Sequence, residues 1–498
     1  MPCTTLLVGK KASYDGSTIM ARNEDSSNGE FNPKSFVAVN PAGRTTYTSV
    51  LGHLTMELPE AEGVRYTAMP NADLKEGLWE EAGFSARNVG MSATETITSN
   101  ERVLAADPLV RYRPATGTPG EPGYVPEQVG GIGEEDMVTL VLPYMTSARD
   151  GVLRMGALLE RYGTYEMNGI AFSDADEIWW LETVGGHHWI AKRVPDDCYV
   201  TMPNQLGIDS FDLNDAEGAG ENHLCSPDLR SWMAANRLDL TPSVEAGQVS
   251  SCFNPRDTFG SHSDSDHVYN TPRAWAMQRF LSPHAGDWDT AAPAADFGPE
   301  SDTLAWARRP ERKVTIEDVK YVLSLHYQGT PYDPYVTDGG VERGKYRPIG
   351  INRNSQLAVL QLRPYVDAGR AALQWISLAS NAFNALVPFY ANVDTTPAYL
   401  ANTTTRVTSE SFYWANRLVG ALCDAAYGAC LPHVERYQEA LTSACAALVR
   451  ECDTADGDLA ACNEAIADEC RRATDALLDK VLYEASMRMK NGFSRSDN

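Results

Sequence analysis

A chain of 498 residues, 43% hydrophobic and 22% charged, is long enough for one large core or a few ordinary ones, and its composition is that of a globular protein. No run approaches the roughly 20 apolar residues of a membrane helix, so no membrane partner is expected. With 67 acidic and 42 basic side chains the net charge is −25, which repels nucleic-acid phosphate and excludes nucleic acid as an expected partner.

Residues 3–9, rich in Thr, Leu and Val, read as a strand. Asp15-Gly16 is a turn signal, because Gly tolerates the positive φ that a hairpin needs. Residues 17–21 read as the returning strand and run into Arg22-Asn23-Glu24-Asp25. Residues 113–133, rich in Pro and Gly, read as a loop. The spacing of Val152, Met155, Leu158 and Leu159 predicts a helix over 147–162, capped by Ser147 and ended by Gly163. Three apolar strands follow at 168–173, 177–184 and 187–194, and a fourth at 198–202 ends on Pro203-Asn204. Consecutive strands beside helices predict an α+β fold in layers rather than a parallel sheet. From 366 onward the pattern reads as helical, over 366–385, 410–424, 432–451 and 458–489, with Pro432 suited to a first turn. This sets a soft boundary near 365, between a catalytic domain at 3–365 and a helical region at 366–498 packed on it.

Cys3 is the first chemical candidate. Alone it reads as a small buried hydrophobe in a first strand. The Asp15-Gly16 turn, however, folds Arg22 and Asp25 back toward the end of the sheet that carries Cys3. A cation beside a thiol favours the thiolate, and a carboxylate can orient a terminal amine. If Met1 and Pro2 were removed, the freed α-amine of Cys3, with a pKa of about 8, could serve as the base without a histidine. Arg22 and Asp25 are three apart, so both can serve one site only if the strand ends or bends at Asn23-Glu24.

The segments Cys3-Thr4-Thr5, Asp15-Gly16-Ser17-Thr18 and Ala21-Arg22-Asn23-Glu24-Asp25 resemble the start of the dipeptidase A family of N-terminal-nucleophile (Ntn) cysteine peptidases. The resemblance continues at Asn88-Val89-Gly90-Met91-Ser92-Ala93-Thr94-Glu95, Glu134-Glu135-Asp136, Trp179-Trp180-Leu181-Glu182-Thr183, Pro203-Asn204-Gln205 and Tyr269-Asn270-Thr271-Pro272-Arg273. It implies a four-layer αββα sandwich and hydrolysis of dipeptides through a thioester on the nucleophilic cysteine. Penicillin V acylases, bile-salt hydrolases and secernins are related. The superfamily pattern, carried over, implies Cys3 as nucleophile, with Arg22, Asp25, Asn204 as an oxyanion donor, and Arg273. Where the acylases have a further asparagine this chain has Thr94-Glu95, which leaves one oxyanion donor unassigned, a role open to a backbone N–H. A penicillin- or bile-acid-amide hydrolase and a non-catalytic secernin-like interaction protein are the alternatives. The expected partner is a dipeptide substrate; homo-oligomerisation is left open. No cofactor and no metal is expected.

Other signals carry less. Residues 339–345 fit most of a phosphate-loop pattern, but Tyr346 stands where Ser or Thr is needed. His262, Asp264, Asp266 and His267 resemble a metal cluster but read as a polar loop. His187 and His188 are adjacent in a strand and point to opposite faces, Trp179-Trp180 reads as core, and residues 452–463 fail the calcium-loop pattern at both ends. Six of the ten cysteines fall within 423–470. Symmetric spacing about Gly457 places Cys452 beside Cys462 and Cys445 beside Cys470 in a helix hairpin, so nested disulfides are expected, with Cys423–Cys430 a weaker third pair. Disulfides point to an oxidising compartment. The N-terminus has no signal-peptide pattern, so location is left open between the cell exterior and the cytoplasm.

Overall fold

The computed structural model describes residues 3–27, 30–59, 63–286, 288, 297–336, 340–455 and 457–490. Met1, Pro2, Gly339 and Asp456, on which parts of the expectations above rest, lie outside the described residues. The strands that build the core are β1 (Cys3–Val8), β2 (Thr18–Asp25), β3 (Ala82–Phe84), β4 (Gly90–Thr96), β5 (Asn168–Ser173), β6 (Ile178–Val184), β7 (His188–Arg193), β8 (Tyr199–Met202), β9 (His223–Cys225), β10 (Ala307–Arg308), β11 (Asn354–Leu362), β12 (Ala372–Leu378) and β13 (Val387–Tyr390). The helices that cover it are α1 (Ala148–Tyr162), α2 (Thr271–Leu281), α3 (Ile316–Val322), α4 (Phe412–Ala425), α5 (Tyr427–Thr454) and α6 (Leu459–Ser486).

The strands form two antiparallel sheets, one of seven in the order β10-β8-β1-β2-β11-β12-β13 and one of six in the order β9-β7-β6-β5-β4-β3. The sheets face each other through β1 and β2 against β4 and β5, and through β11 and β12 against β3. Helix α1 covers the six-stranded sheet, while α2, α4, α5 and α6 lie on the seven-stranded one. This is the expected α+β, four-layer αββα arrangement.

Alternation explains the layering. On β6, Trp179 packs with Val152, Met155 and Leu159 of α1, whereas its neighbour Trp180 packs into the core between the sheets. Room for Trp180 comes from Gly169 on the paired strand, where a Cβ would lie 2.1 Å from the indole. Helix α1 has the expected ends: the Ser147 hydroxyl accepts the Asp150 N–H at 3.1 Å, and Gly163 closes the helix at φ 68°.

Three expectations need correction. Residues 372–378, read as helix, form β12, an inner strand of the seven-stranded sheet. Every residue of β12 is buried, and a strand buried on both faces shows an unbroken apolar run that periodicity cannot tell from a helix. The sheet thus carries on past residue 365, and the helical layer follows β13. Pro432 lies inside α5 rather than in its first turn, because the helix starts at Tyr427. Of the expected bridges, Cys452–Cys462 is formed, but Cys445 and Cys470 are neighbouring free thiols, and so are Cys423 and Cys430 across the α4–α5 break.

Candidate active site

Cys3 heads β1, an inner strand with β8 on one side and β2 on the other. The register pairs Cys3 with Glu24 and Thr5 with Arg22, so all four side chains share the face turned to the six-stranded sheet. There Arg22 Nη2 donates to the Cys3 sulfur at 2.9 Å and to Glu134 Oε1 at 3.0 Å. Its Nη1 donates to Ala93 O at 2.7 Å and to the Glu81 carboxylate. Lys34, fully buried, reaches Glu24 at 2.8 Å and Glu81 at 3.5 Å. Glu95 accepts the Thr5 hydroxyl at 2.8 Å.

The electrostatics follow from this packing. Burial pushes the Cys3 thiol well above its usual range; Arg22 pulls it down, and Glu134 and Glu95 push it up again. Burial also opposes the Arg22 charge, but the thiol, Glu81, Glu134 and Glu95 outweigh it and keep the guanidinium firmly cationic. Burial lifts Glu95 to about 8 against the pull of Arg273 and Arg22. The thiol therefore lies among carboxylates that oppose its ionisation, in contact with a guanidinium that favours it.

Asn204 and Arg273 arrive from the other side. Asn204 Oδ1 accepts the Cys3 N–H at 3.2 Å and Arg273 Nη2 at 2.7 Å, and its Nδ2 donates to Thr96 O at 2.9 Å. Arg273 Nη1 donates to the Cys3 carbonyl and to Thr4 Oγ1, the latter at 2.7 Å. Asn270 clamps Asn204 by accepting its N–H and donating to its carbonyl, each at 3.1 Å. A cavity of about 770 Å³ opens beside these residues, lined by Thr96, Asn204, Asp266, Tyr269 and Asn270 among others.

The structure thus brings Cys3, Arg22, Asn204 and Arg273 together. Asp25 is different. Strand β2 runs on through Asn23-Glu24 to Asp25, so alternation turns Asp25 to the face opposite Arg22. Its carboxylate accepts from Arg347 Nη2 and Asn354 Nδ2, and among the described contacts it does not touch Cys3. A register shift in β11 between Asn354 and Gln356 brings Asn354 against Asp25.

Sequence reading missed Glu81, Lys34, Asn270 and Arg347. It passed over Glu134, although three acids in a row before the apolar stretch 137–142 are a signal of buried charge. The other two acids are structural: Glu135 accepts Ser49 Oγ at 2.6 Å and Asp136 accepts the Tyr47 hydroxyl at 2.7 Å, which fixes the 47–52 loop. Among the described residues no group of three metal-binding side chains occurs; His267 pairs with Asp302, and His187 and His188 both bond Asp107.

Two stacked antiparallel sheets between helices, with a thiol and guanidinium in contact at the head of an inner strand, define an amide-bond hydrolase of the peptidase class. The model of peptidase family C69 matches residues 2–440, and the chain belongs to that family. It is similar to a dipeptidase of Bifidobacterium longum (strain NCC 2705), 58% identical over 100% of both chains. A probable dipeptidase A of Streptococcus pyogenes serotype M3 is 50% identical over 100% of both. Dipeptidase A of Lactobacillus helveticus is 44% identical over 85% of this chain and 82% of its own. A solved penicillin V acylase from Agrobacterium tumefaciens is a slight likeness, with TM-score 0.29 and 10% identity over 78% of this chain and 86% of the other.

Proposed function

We propose that the protein is a cysteine dipeptidase in which Cys3, freed of Met1 and Pro2, attacks the scissile carbonyl. The observation that supports this best is the 2.9 Å contact between Arg22 and the Cys3 sulfur, buried at the head of β1. The freed α-amine takes the thiol proton and passes it to the leaving amine, so that the C–N bond breaks as the thioester forms. Arg22 stabilises the thiolate while Glu81 and Glu134 fix its plane. Asn204 Nδ2 turns from Thr96 O to the developing oxyanion, joined by a backbone N–H. Arg273, bonded to the Cys3 carbonyl and to Asn204, holds the nucleophile and the donor in one frame. Asp25, one residue beyond the partner of Cys3 in the register, orients the new amine. Water then hydrolyses the thioester.

The test couples intact mass to turnover of a simple dipeptide. Active protein is expected to begin at Cys3, and Cys3→Ala to be folded but inactive. Full activity in protein that retains Pro2, or in Cys3→Ala, would end the terminal-amine mechanism.

A further inference from the structure

Asn270 stands at the start of α2, where an asparagine side chain commonly caps its own helix by accepting an N–H of the first turn. Here it makes no such bond. Pro272 has no N–H to offer, and the Arg273 N–H goes to the main-chain carbonyl of Asn270 at 3.0 Å. The side chain is buried and turned to other partners. Its Oδ1 accepts the Asn204 N–H at 3.1 Å and Arg273 Nη2 at 2.8 Å. Its Nδ2 donates to the Asn204 carbonyl at 3.1 Å and to Asp266 Oδ1. A side-chain amide has two acceptor lone pairs and two donor hydrogens, so these four bonds use it fully and leave nothing for a substrate.

Asn204 lies where such a hold is needed. The pairing of β8 with β1 ends at Met202, and Asn204 follows Pro203 beyond it. The Asn270 amide takes the N–H and the carbonyl of Asn204 as the peptide group of a neighbouring strand would. Arg273 Nη2, shared between Asn270 Oδ1 and Asn204 Oδ1, fixes the other end of the Asn204 side chain. Asp266 anchors the arrangement: its Oδ2 accepts Ser261 Oγ at 3.2 Å, the Ser263 N–H at 3.2 Å and Ser263 Oγ at 3.0 Å. Those serines line the same cavity as Asn204, so the donor is tied to the wall of the space that it faces. Arg273 depends on Asn270 much less, because it also donates to the Cys3 carbonyl, Thr4 Oγ1 and Tyr269 O. Loss of the Asn270 amide therefore falls on Asn204.

Building on the dipeptidase reading, in which Asn204 stabilises the oxyanion, we propose that Asn270, anchored by Asp266, is the positioning residue of that donor and acts on the reaction through it. Its side chain gives up a helix cap to hold Asn204. A donor displaced by about 1 Å from the developing charge costs about 10²-fold in rate.

The experiment is a double-variant cycle that reads kcat and KM for one dipeptide in wild type, Asn270→Ala, Asn204→Ala and the two together. Asn204→Ala is expected to lower kcat by about 10²–10³-fold, the usual loss for one oxyanion donor. Asn270→Ala is expected to lower it by about 10²-fold, in kcat rather than KM, since the contact that it secures is made in the transition state. The double variant is expected to stay within about threefold of Asn204→Ala, because no side chain is then left to position. Losses that multiply would show that Asn270 acts by another route, on the substrate or on the fold, and would overturn the proposal. A loss confined to KM, or wild-type turnover in Asn204→Ala, would overturn it too. Should Asn270→Ala not fold, Asn270→Asp takes its place in the cycle: it keeps the shape and both acceptors and loses both donors, and multiplied losses again refute. Multiplied losses in an active enzyme would sink this inference alone, whereas wild type that cleaves no dipeptide would sink the dipeptidase reading itself.

Discussion

Glu182 on β6 offers a direct test of how the loop that carries Asn204 is held. Its Oε1 accepts the N–H groups of Gly207 at 2.7 Å and Ile208 at 3.2 Å, and the Trp180 indole at 3.0 Å, while Oε2 is buried without a partner. Burial pushes the carboxyl from 4.5 up to about 7, against the pull of these donors. A folded pKa above the unfolded one means that the native state binds the proton more tightly. The contribution is therefore complete below about pH 4.5 and is lost as pH rises through 7. At about 1.4 kcal/mol per pH unit, the loss between pH 5 and pH 8.5 comes to roughly 2–3 kcal/mol. Glu182→Gln keeps an oxygen for the three donors and cannot ionise. It also adds an amide that lacks an acceptor, a constant cost of about 1–3 kcal/mol at any pH. The quantity to measure is thus the difference in ΔΔG between pH 5 and pH 8.5 from urea melts of both proteins. The variant is expected to gain roughly 2–3 kcal/mol on wild type across that interval. A ΔΔG that is the same at both pH values would show that Glu182 does not titrate there and would refute the reasoning.

Arg22→Lys is expected to lower kcat by about 10² or more with the fold intact, because one ammonium cannot serve the sulfur, Glu81, Glu134 and Ala93 O together; steady-state kinetics beside a thermal melt would check it. Cys452→Ser opens a bridge with a sequence separation of 10 and is expected to cost about 3 kcal/mol, read as a lower Tm in the absence of reductant and as no change in its presence.

The layered α+β fold was legible because strands of the six-stranded sheet follow one another in sequence, each marked by turn residues such as Asp174-Ala175-Asp176 and Gly185-Gly186. Strand β12 was not, since α4 on one side and β3 of the facing sheet on the other bury both faces and erase the alternation that separates strand from helix. The contact between Cys3 and Arg22 could be foreseen from one hairpin. Arg347 could not: its partner Asp25 is 322 residues away, and nothing local marks it. The cysteine spacing about Gly457 named the right neighbours, because helix periodicity fixes which side chains meet. It did not distinguish meeting from bonding, which depends on a separation finer than sequence spacing resolves, as Cys445 and Cys470 demonstrate.

The place of β2 in its sheet has a consequence for biosynthesis. Its outer neighbour is β11, and the side chains of Asp25 and Asn354 meet across 329 residues. At translation rates of about 5–20 residues per second, that separation is roughly 15–65 s of ribosome time. The strand that carries the nucleophile is among the first parts synthesised, and its sheet is among the last to close. The β2 edge that meets β11 waits unpaired through that interval, and loop closure of this length makes the pairing slow. The Arg22 cluster waits too, since Glu134 is 112 residues further on. The nascent chain thus carries its nucleophile beside Arg22 in one hairpin while Asn204 and Arg273, 201 and 270 residues further on, are still to be made.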